Sequence, residues 1–209
     1  MKRISVVGPE SSGKTTLTKY LSKTLKCNYS EEYARTYLDK KETYDVHDLI
    51  KIAKEQNRII TNNIKKGNDY FIADTSCLVI ELWSRIKFNH VDVDLKYLSL
   101  NEDFDFYLLC KPDIPWEEDR LRENPNDRDD IFDVYETTLK KRNLNYKIVE
   151  GSLLERLLTA LDFIKNPTND CEIVQLCPPK KLKSKRDSKN IEILKADYKL
   201  GKRVAAEYL

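Results

Sequence analysis

Residues 6–17 read VVGPESSGKTTL, and this stretch decides the fold. It matches the pattern G-x-x-x-x-G-K-[ST] through Gly8, Gly13, Lys14 and Thr15, which include two of the chain's five glycines. A short apolar run, RISVVG, leads into it, and leucines at four-residue spacing follow it, as on one face of a helix. A strand, a glycine-containing loop and a helix in this order predict a phosphate-binding loop; an ordinary glycine turn before a helix is the alternative.

The residue types in this loop suit a nucleoside triphosphate with Mg²⁺. Glycine permits positive φ and a close backbone approach, so that N–H groups can turn toward phosphate oxygens. Lys14 is expected to reach the β- and γ-phosphates, the Thr15 hydroxyl to bind Mg²⁺, and the helix N-terminus to attract the anion. We therefore expect ATP or GTP to contact Gly8, Pro9, Glu10, Ser11, Ser12, Gly13, Lys14, Thr15 and Thr16.

Strand and helix signals alternate along the next 150 residues. Amphipathic helical patterns separate four further strand candidates, which are YSEEYA, YFIADT, FDFYLLC and YKIVEG. Alternation of this kind predicts an α/β fold of the P-loop kinase type, with a parallel sheet flanked by helices.

Composition limits the class of protein. The charges nearly cancel, at a net +2, which argues against a general nucleic-acid binder. Five irregularly spaced cysteines without a CxxC pair predict free thiols rather than a disulfide framework or a zinc site. No signal peptide or membrane span is evident, so we expect a cytoplasmic protein.

The basic charge is concentrated at the C-terminus. Residues 178–209 contain ten lysines or arginines and four acidic residues, whereas residues 1–177 are net acidic. We predict a P-loop kinase domain over 1–177 and a basic tail over 178–209, made of a linker and a short helix that docks on the domain or on a partner. A contact with an anionic surface and a fully solvated tail are alternatives. The oligomeric state is left open.

Two acidic segments follow predicted strands. Asp74 ends FIADT, where a carboxylate can hold Mg²⁺; capping the next helix is the alternative. In EEYAR, Glu32 can accept a proton from a substrate hydroxyl, while Tyr33 and Arg35 can hold the substrate. A solvated charged turn is the alternative for EEYAR.

A third candidate is the segment PWEEDRLRENPNDRDD, which lies between the fourth strand and the next helix. Its arginines Arg120, Arg122 and Arg128 predict a mobile lid that neutralises phosphate charge during transfer. An exposed loop with internal ion pairs is the alternative.

Five segments together resemble the ribosylnicotinamide kinase domain of bacterial NadR and related NadR-like P-loop ATPases. In chain order they are GPESSGKTTL, EEYAR, DLIKIAKEQ, FIADT with Trp83 nine residues after Asp74, and DIPWEEDRLRENP. The resemblance covers about Lys2 to Lys165, and it implies the stand-alone form because the phosphate loop begins at residue 8.

The resemblance implies phosphorylation of nicotinamide riboside at its 5′-hydroxyl, with a nucleoside triphosphate and Mg²⁺, to give nicotinamide mononucleotide. It assigns Glu32, Tyr33, Arg35 and Asp74 to the substrate side, and Trp83 to an aromatic wall for the pyridinium. Trp83 can equally be a core residue. A kinase of another nucleoside and a nucleotide-dependent regulatory switch are the competing functions.

Overall fold

The computed structural model describes residues 1–39 and 41–167. Its centre is a five-stranded, fully parallel sheet with the strand order β2-β3-β1-β4-β5. The predicted α/β class with a parallel sheet is therefore confirmed. The strands are β1 (Lys2–Val7), β2 (Asn28–Ser30), β3 (Tyr70–Asp74), β4 (Phe106–Cys110) and β5 (Tyr146–Val149).

Seven helices lie between and after these strands within the described residues. They are α1 (Lys14–Leu25), α2 (Tyr33–Leu38), α3 (Val46–Ile64), α4 (Cys77–Phe88), α5 (Val93–Leu100), α6 (Arg128–Lys141) and α7 (Leu153–Lys165).

Strand β1 is buried on both faces, as its continuous apolar run predicts. Val6 packs in a cluster with side chains of α1 and α7, whereas its neighbour Val7 packs with side chains of α4 and α6. Alternate residues of a strand point to opposite faces, so the two clusters lie on opposite sides of the sheet. Burial on both sides holds the end of β1, and with it the phosphate loop, in a fixed position.

The region after β2 differs from the prediction. The strand ends at Ser30, and Tyr33 begins helix α2, so YSEEYA does not continue as a strand. Helix α5 was not predicted from the sequence; Asp92 caps its N-terminus by accepting a hydrogen bond from the N–H of Asp94. Both elements pack in an apolar cluster with α3 and α4, and this tertiary burial favours short helices that are marginal alone.

Other predictions concern properties of the whole chain. Cys27, Cys77 and Cys110 are free thiols. Among the helices of residues 1–39 and 41–167, none has the combination of length and apolarity needed to cross a membrane. The tail predicted for residues 178–209 lies outside the described residues.

Candidate active site

The loop between β1 and α1 has the backbone conformation that its glycines allow. Gly8 has φ of 138° and Gly13 has φ of 81°, and Gly13 is the N-cap residue of α1. A Cβ atom on Gly8 would lie only 2.6 Å from the carbonyl oxygen of Cys110, at the end of β4. The loop is therefore pressed against the neighbouring strand at a point where only glycine fits.

Polar side chains within the loop hold its shape. The hydroxyl of Ser12 donates to the carbonyl oxygen of Pro9 at 2.7 Å, and Lys14 Nζ donates to the same oxygen at 2.6 Å. Thr15 follows at the start of α1, where its side chain is close enough to the Asp74 carboxylate to lower the pKa of that group. Lys14, Thr15 and Thr16 all line a cavity next to the loop.

Asp74 lies at the carboxyl end of β3 and is only 2% exposed. Burial raises the pKa of Asp74 to about 6, and the charge of Glu32 adds to this shift. The Thr15 side chain and the charges of Lys14 and Arg35 oppose it. Within residues 1–39 and 41–167, Asp74 Oδ1 has no hydrogen-bond partner. A buried carboxylate oxygen without a partner, beside a threonine hydroxyl, fits the oxygen ligands that Mg²⁺ prefers.

The alternative role of Asp74, capping α4, is filled by a residue that sequence reasoning missed. The carboxylate of Glu102 accepts hydrogen bonds from the N–H groups of Cys77 and Leu78 and from the hydroxyl of Ser76. Burial raises the pKa of Glu102 to about 7 even though these hydrogen bonds act to lower it. Glu102 follows α5 and is about 25 residues from the helix it caps, so no local pattern indicates it.

Replacing Asp74 with asparagine is expected to raise the free energy of unfolding clearly at pH 8 and much less at pH 4. The folded-state pKa of about 6 lies above the ordinary 3.8. The stability contributed by this carboxyl therefore falls as pH rises from 3.8 to about 6. Asparagine does not ionise and so removes the cost. Urea unfolding without Mg²⁺ at the two pH values measures the change; a variant that is less stable at pH 8 would contradict the prediction.

Glu32 and Arg35 face the cavity together. Glu32 is the N-cap residue of α2, and its carboxylate lies 3.2 Å from Arg35 Nε. Arg35 Nη1 also contacts Asp119, which lies between β4 and α6, at 2.8 Å. Both Glu32 and Arg35 line the cavity beside the phosphate loop. This placement suits the predicted acceptor side of the site.

Tyr33 is placed differently. Its ring packs in the apolar cluster around α3, 6.0 Å from the ring of Tyr37, and its backbone N–H donates to Gln56 Oε1 at 2.8 Å. Tyr33 is not among the residues that line the cavity. The structure therefore gives this predicted substrate residue a packing role, because helix α2 begins there and turns its side chain into the core.

We expect Glu32→Gln to lower turnover by about 10²-fold and Glu31→Gln to leave it near the unsubstituted value. Strand alternation does not distinguish the two glutamates, because β2 ends at Ser30. The structure supplies the reason: Glu32 lines the cavity and Glu31 is exposed. Steady-state rates of the two variants provide the test, and the reverse ranking would show that Glu31 is the residue at the reacting groups.

The predicted lid, residues 115–130, lies mostly in the 111–127 segment between β4 and α6, and its last residues, from Arg128, begin α6. Arg122 Nη1 donates to the carbonyl oxygen of Glu117 at 2.6 Å and to Ser11 Oγ at 3.3 Å, and Arg122 lines the cavity. Arg128 Nη1 donates to the carbonyl oxygens of Ile114 and Ser11, at 2.9 and 3.2 Å. Two of the three predicted arginines therefore meet at the phosphate loop.

Arg120 lies elsewhere. Its guanidinium donates to the carbonyl oxygens of Leu38 and Asp39, both at 2.6 Å, and to that of Lys41 at 2.9 Å. These carbonyl groups lie at and beyond the C-terminal end of α2, where oxygens lack partners within the helix and attract a cation. The structure thus places Arg120 in the attachment of the segment to α2 rather than at the phosphates.

Trp83 lies both at the apolar cluster around α3, where it is half-buried, and at the cavity. Its Nε1–H donates to the hydroxyl of Tyr44 at 3.0 Å, and that hydroxyl donates to Glu123 of the 111–127 segment at 3.1 Å. The Glu123 carboxylate also pairs with Lys87. Trp83 is therefore connected to the 111–127 segment through side-chain hydrogen bonds.

The cavity has a volume of about 400 Å³. One side consists of phosphate-loop residues 8–16, and the 111–127 segment covers part of it. Beyond the loop, about half of the lining residues are apolar and most of the others are charged. The side chains of that part include Glu32, Arg35, Val79, Trp83, Ile131 and Tyr135.

Arg156, on α7, is a further residue that sequence reasoning missed. It is 3% exposed, and it donates to the carbonyl oxygens of Ser12 at 2.7 Å and Lys111 at 3.1 Å. It also pairs with the carboxylate of Asp113. One buried guanidinium thus joins α7, the phosphate loop and the start of the 111–127 segment. A single arginine 144 residues after Ser12 gives no local signal of this role.

The phosphate loop and the covering segment line one cavity, and the buried Asp74 carboxylate lies at the end of β3 beside Thr15 of the loop. A family model described as an AAA domain (AAA_28) matches residues 3–156. The chain belongs to this AAA domain family. A second model, described as a domain of unknown function (DUF6363), matches residues 159–209. No match was found among curated proteins.

Solved structures resemble the AAA domain in fold. A NadR protein in complex with NAD and AMP-PNP has a TM-score of 0.67 at 22% identity, over 84% of this chain and 51% of the NadR chain. A NadR protein in complex with NR has a TM-score of 0.68 at 21% identity, over 84% of this chain and 53% of the other. The AAA domain chain thus spans about half the length of the NadR chains. The predicted NadR-like P-loop fold is confirmed.

A more distant similarity extends to a nucleoside kinase. Deoxyadenosine kinase from M. mycoides with bound dATP has a TM-score of 0.53 at 13% identity, over 78% of this chain and 100% of that chain. At this identity the similarity concerns the fold, so the AAA domain has the architecture of P-loop kinases.

Proposed function

We propose that the AAA domain transfers the γ-phosphate of a nucleoside triphosphate to the 5′-hydroxyl of nicotinamide riboside, giving nicotinamide mononucleotide. The observation that carries the proposal is the continuous cavity, which joins the phosphate loop to a half-apolar acceptor side containing Glu32, Arg35 and Trp83. Phosphoryl transfer requires positioning and charge stabilisation of two substrates side by side. The NadR resemblance of the sequence and the fold supports the choice of acceptor.

Each group around the cavity has a defined task in this reaction. Lys14 and Arg122 are cations beside the phosphate loop and stabilise charge on the transferred phosphoryl group. Glu32 accepts the proton of the acceptor hydroxyl, and its ion pair with Arg35 sets the orientation of its carboxylate. Thr15 and Asp74 would hold Mg²⁺, which neutralises phosphate charge when bound.

The acceptor side suits a flat cation. Nicotinamide riboside carries a positively charged pyridinium ring, which is attracted to the face of a tryptophan and to nearby carboxylates. Trp83 offers the aromatic surface, and Glu32 and Glu123 line the same cavity. Trp83 is held in place by its hydrogen bond to Tyr44, so the wall is preorganised.

The decisive experiment supplies the full chain with Mg²⁺, ATP or GTP, and a panel of acceptors. The panel contains nicotinamide riboside, deoxyadenosine, other nucleosides and no acceptor, and both phosphorylated product and free phosphate are measured. We expect product with nicotinamide riboside and little hydrolysis without acceptor. Product with a different nucleoside only would move the proposal to that nucleoside, and hydrolysis without any phosphorylated acceptor would support the regulatory switch.

A further inference from the structure

The 111–127 segment is attached to the phosphate loop through two adjacent loop residues. Glu10 Oε2 accepts hydrogen bonds from the backbone N–H groups of Glu123 at 2.8 Å and Asn124 at 3.0 Å. Ser11 Oγ accepts one from the N–H of Glu117 at 3.0 Å. The two attachment points lie on either side of Arg122 in the sequence.

A carboxylate in a phosphate loop needs an explanation, because its charge repels the phosphates that the loop binds. The contacts of Glu10 provide one: two N–H donors from the segment satisfy the same carboxylate oxygen. Hydrogen bonds to a charged acceptor are stronger than neutral ones. Glu10 therefore uses its charge to hold backbone N–H groups of the segment.

The backbone conformation at Ser11 helps to position its hydroxyl for the contact with Glu117. Ser11 has φ of 51°, which is uncommon for a residue other than glycine, and its side chain is buried. Its hydroxyl lies between the N–H of Glu117 and Arg122 Nη1, which is 3.3 Å away. The attachments at Glu117 and at residues 123–124 thus hold the guanidinium of Arg122 beside the loop.

We propose that Glu10 is a positioning residue that fastens residues 117–124 to the phosphate loop and thereby places Arg122 beside the phosphates of the donor nucleotide. The attachment itself depends only on the contacts described here. The part that Arg122 plays in transfer rests on the proposed function. Glu10 thus acts on the reaction through Arg122 and through the segment's backbone.

Hydrogen exchange of the full chain tests the attachment without any activity measurement. Glu10→Ala should speed exchange of the Glu123 and Asn124 amides about tenfold or more, because both lose a charged acceptor. Glu10→Gln keeps an oxygen acceptor and should give an intermediate rate. Glu118→Ala, an exposed acidic residue of the same segment, is the matched control and should match the unsubstituted protein. Unchanged exchange in Glu10→Ala would overturn the proposal.

A double-mutant cycle tests the route through Arg122. If Glu10 acts by placing Arg122, Glu10→Ala should lower kcat about tenfold in the unsubstituted background and have little further effect in Arg122→Ala. Independent losses that multiply would show that Glu10 does not act through Arg122, and would overturn the positioning role. If no acceptor is phosphorylated, the proposed function fails while the exchange result still decides whether Glu10 fastens the segment.

Discussion

Lys14→Ala is expected to lower kcat by about 10³-fold while shifting the midpoint of thermal unfolding by no more than about 4 °C. Lys14 lies at the first position of α1, lines the cavity and makes one hydrogen bond, to the carbonyl oxygen of Pro9. It contributes charge at the phosphates and little to the apolar core. Steady-state kinetics with the triphosphate and nicotinamide riboside, together with thermal unfolding, measure the two effects.

The matched control for this variant is Lys19→Ala. Lys19 is on the same helix but is exposed to solvent, so its loss removes the same charge away from the cavity. It should leave both turnover and the unfolding midpoint close to those of the unsubstituted protein. A folded Lys14→Ala protein with near-normal turnover would mean that the loop does not serve phosphoryl transfer.

Gly8→Ala is expected to lower the free energy of unfolding by roughly 3 kcal/mol, and to disturb the phosphate loop. The added Cβ would meet the carbonyl oxygen of Cys110 at 2.6 Å and its nitrogen at 3.2 Å, and backbone atoms of β4 cannot rotate away. The φ of 138° adds strain for any residue with a side chain. Denaturant unfolding measures the loss.

Gly67→Ala separates the steric contact with β4 from the backbone strain at positive φ. Gly67 has φ of 78°, but none of the described atoms lies within 4 Å of the Cβ that alanine would add there. Its expected cost is about 1 kcal/mol, from backbone strain alone. Equal losses for the two variants would show that the approach to β4 is not what requires glycine at position 8.

Much of the fold and part of the site were predictable because their determinants are local. The alternation of apolar runs and amphipathic helices predicts the sheet layers, and the glycine spacing predicts the loop. Asp74 was predictable because it ends an apolar strand, and the carboxyl ends of parallel strands meet at one edge of a sheet. These inferences need only residue type and spacing.

Sequence-based expectation and structure differ where distant contacts outweigh local pattern. Helix α2 replaces the predicted end of a strand because its residues pack into the cluster around α3. Arg120 was grouped with Arg122 because both lie in one charged segment, yet the carbonyl groups at the end of α2 hold it away from the loop. Spacing within a loop does not specify which way a side chain points.

By itself, then, the sequence determined the P-loop architecture, because repeating apolar positions and the G-x-x-x-x-G-K-T spacing act over a few residues. Only the tertiary structure decided which charges meet at the loop. Glu10 reaches residues 123–124 and Arg156 reaches the carbonyl oxygen of Ser12 across more than 100 residues of chain. Such pairings depend on how the strands are ordered in the sheet, and no local periodicity encodes that order.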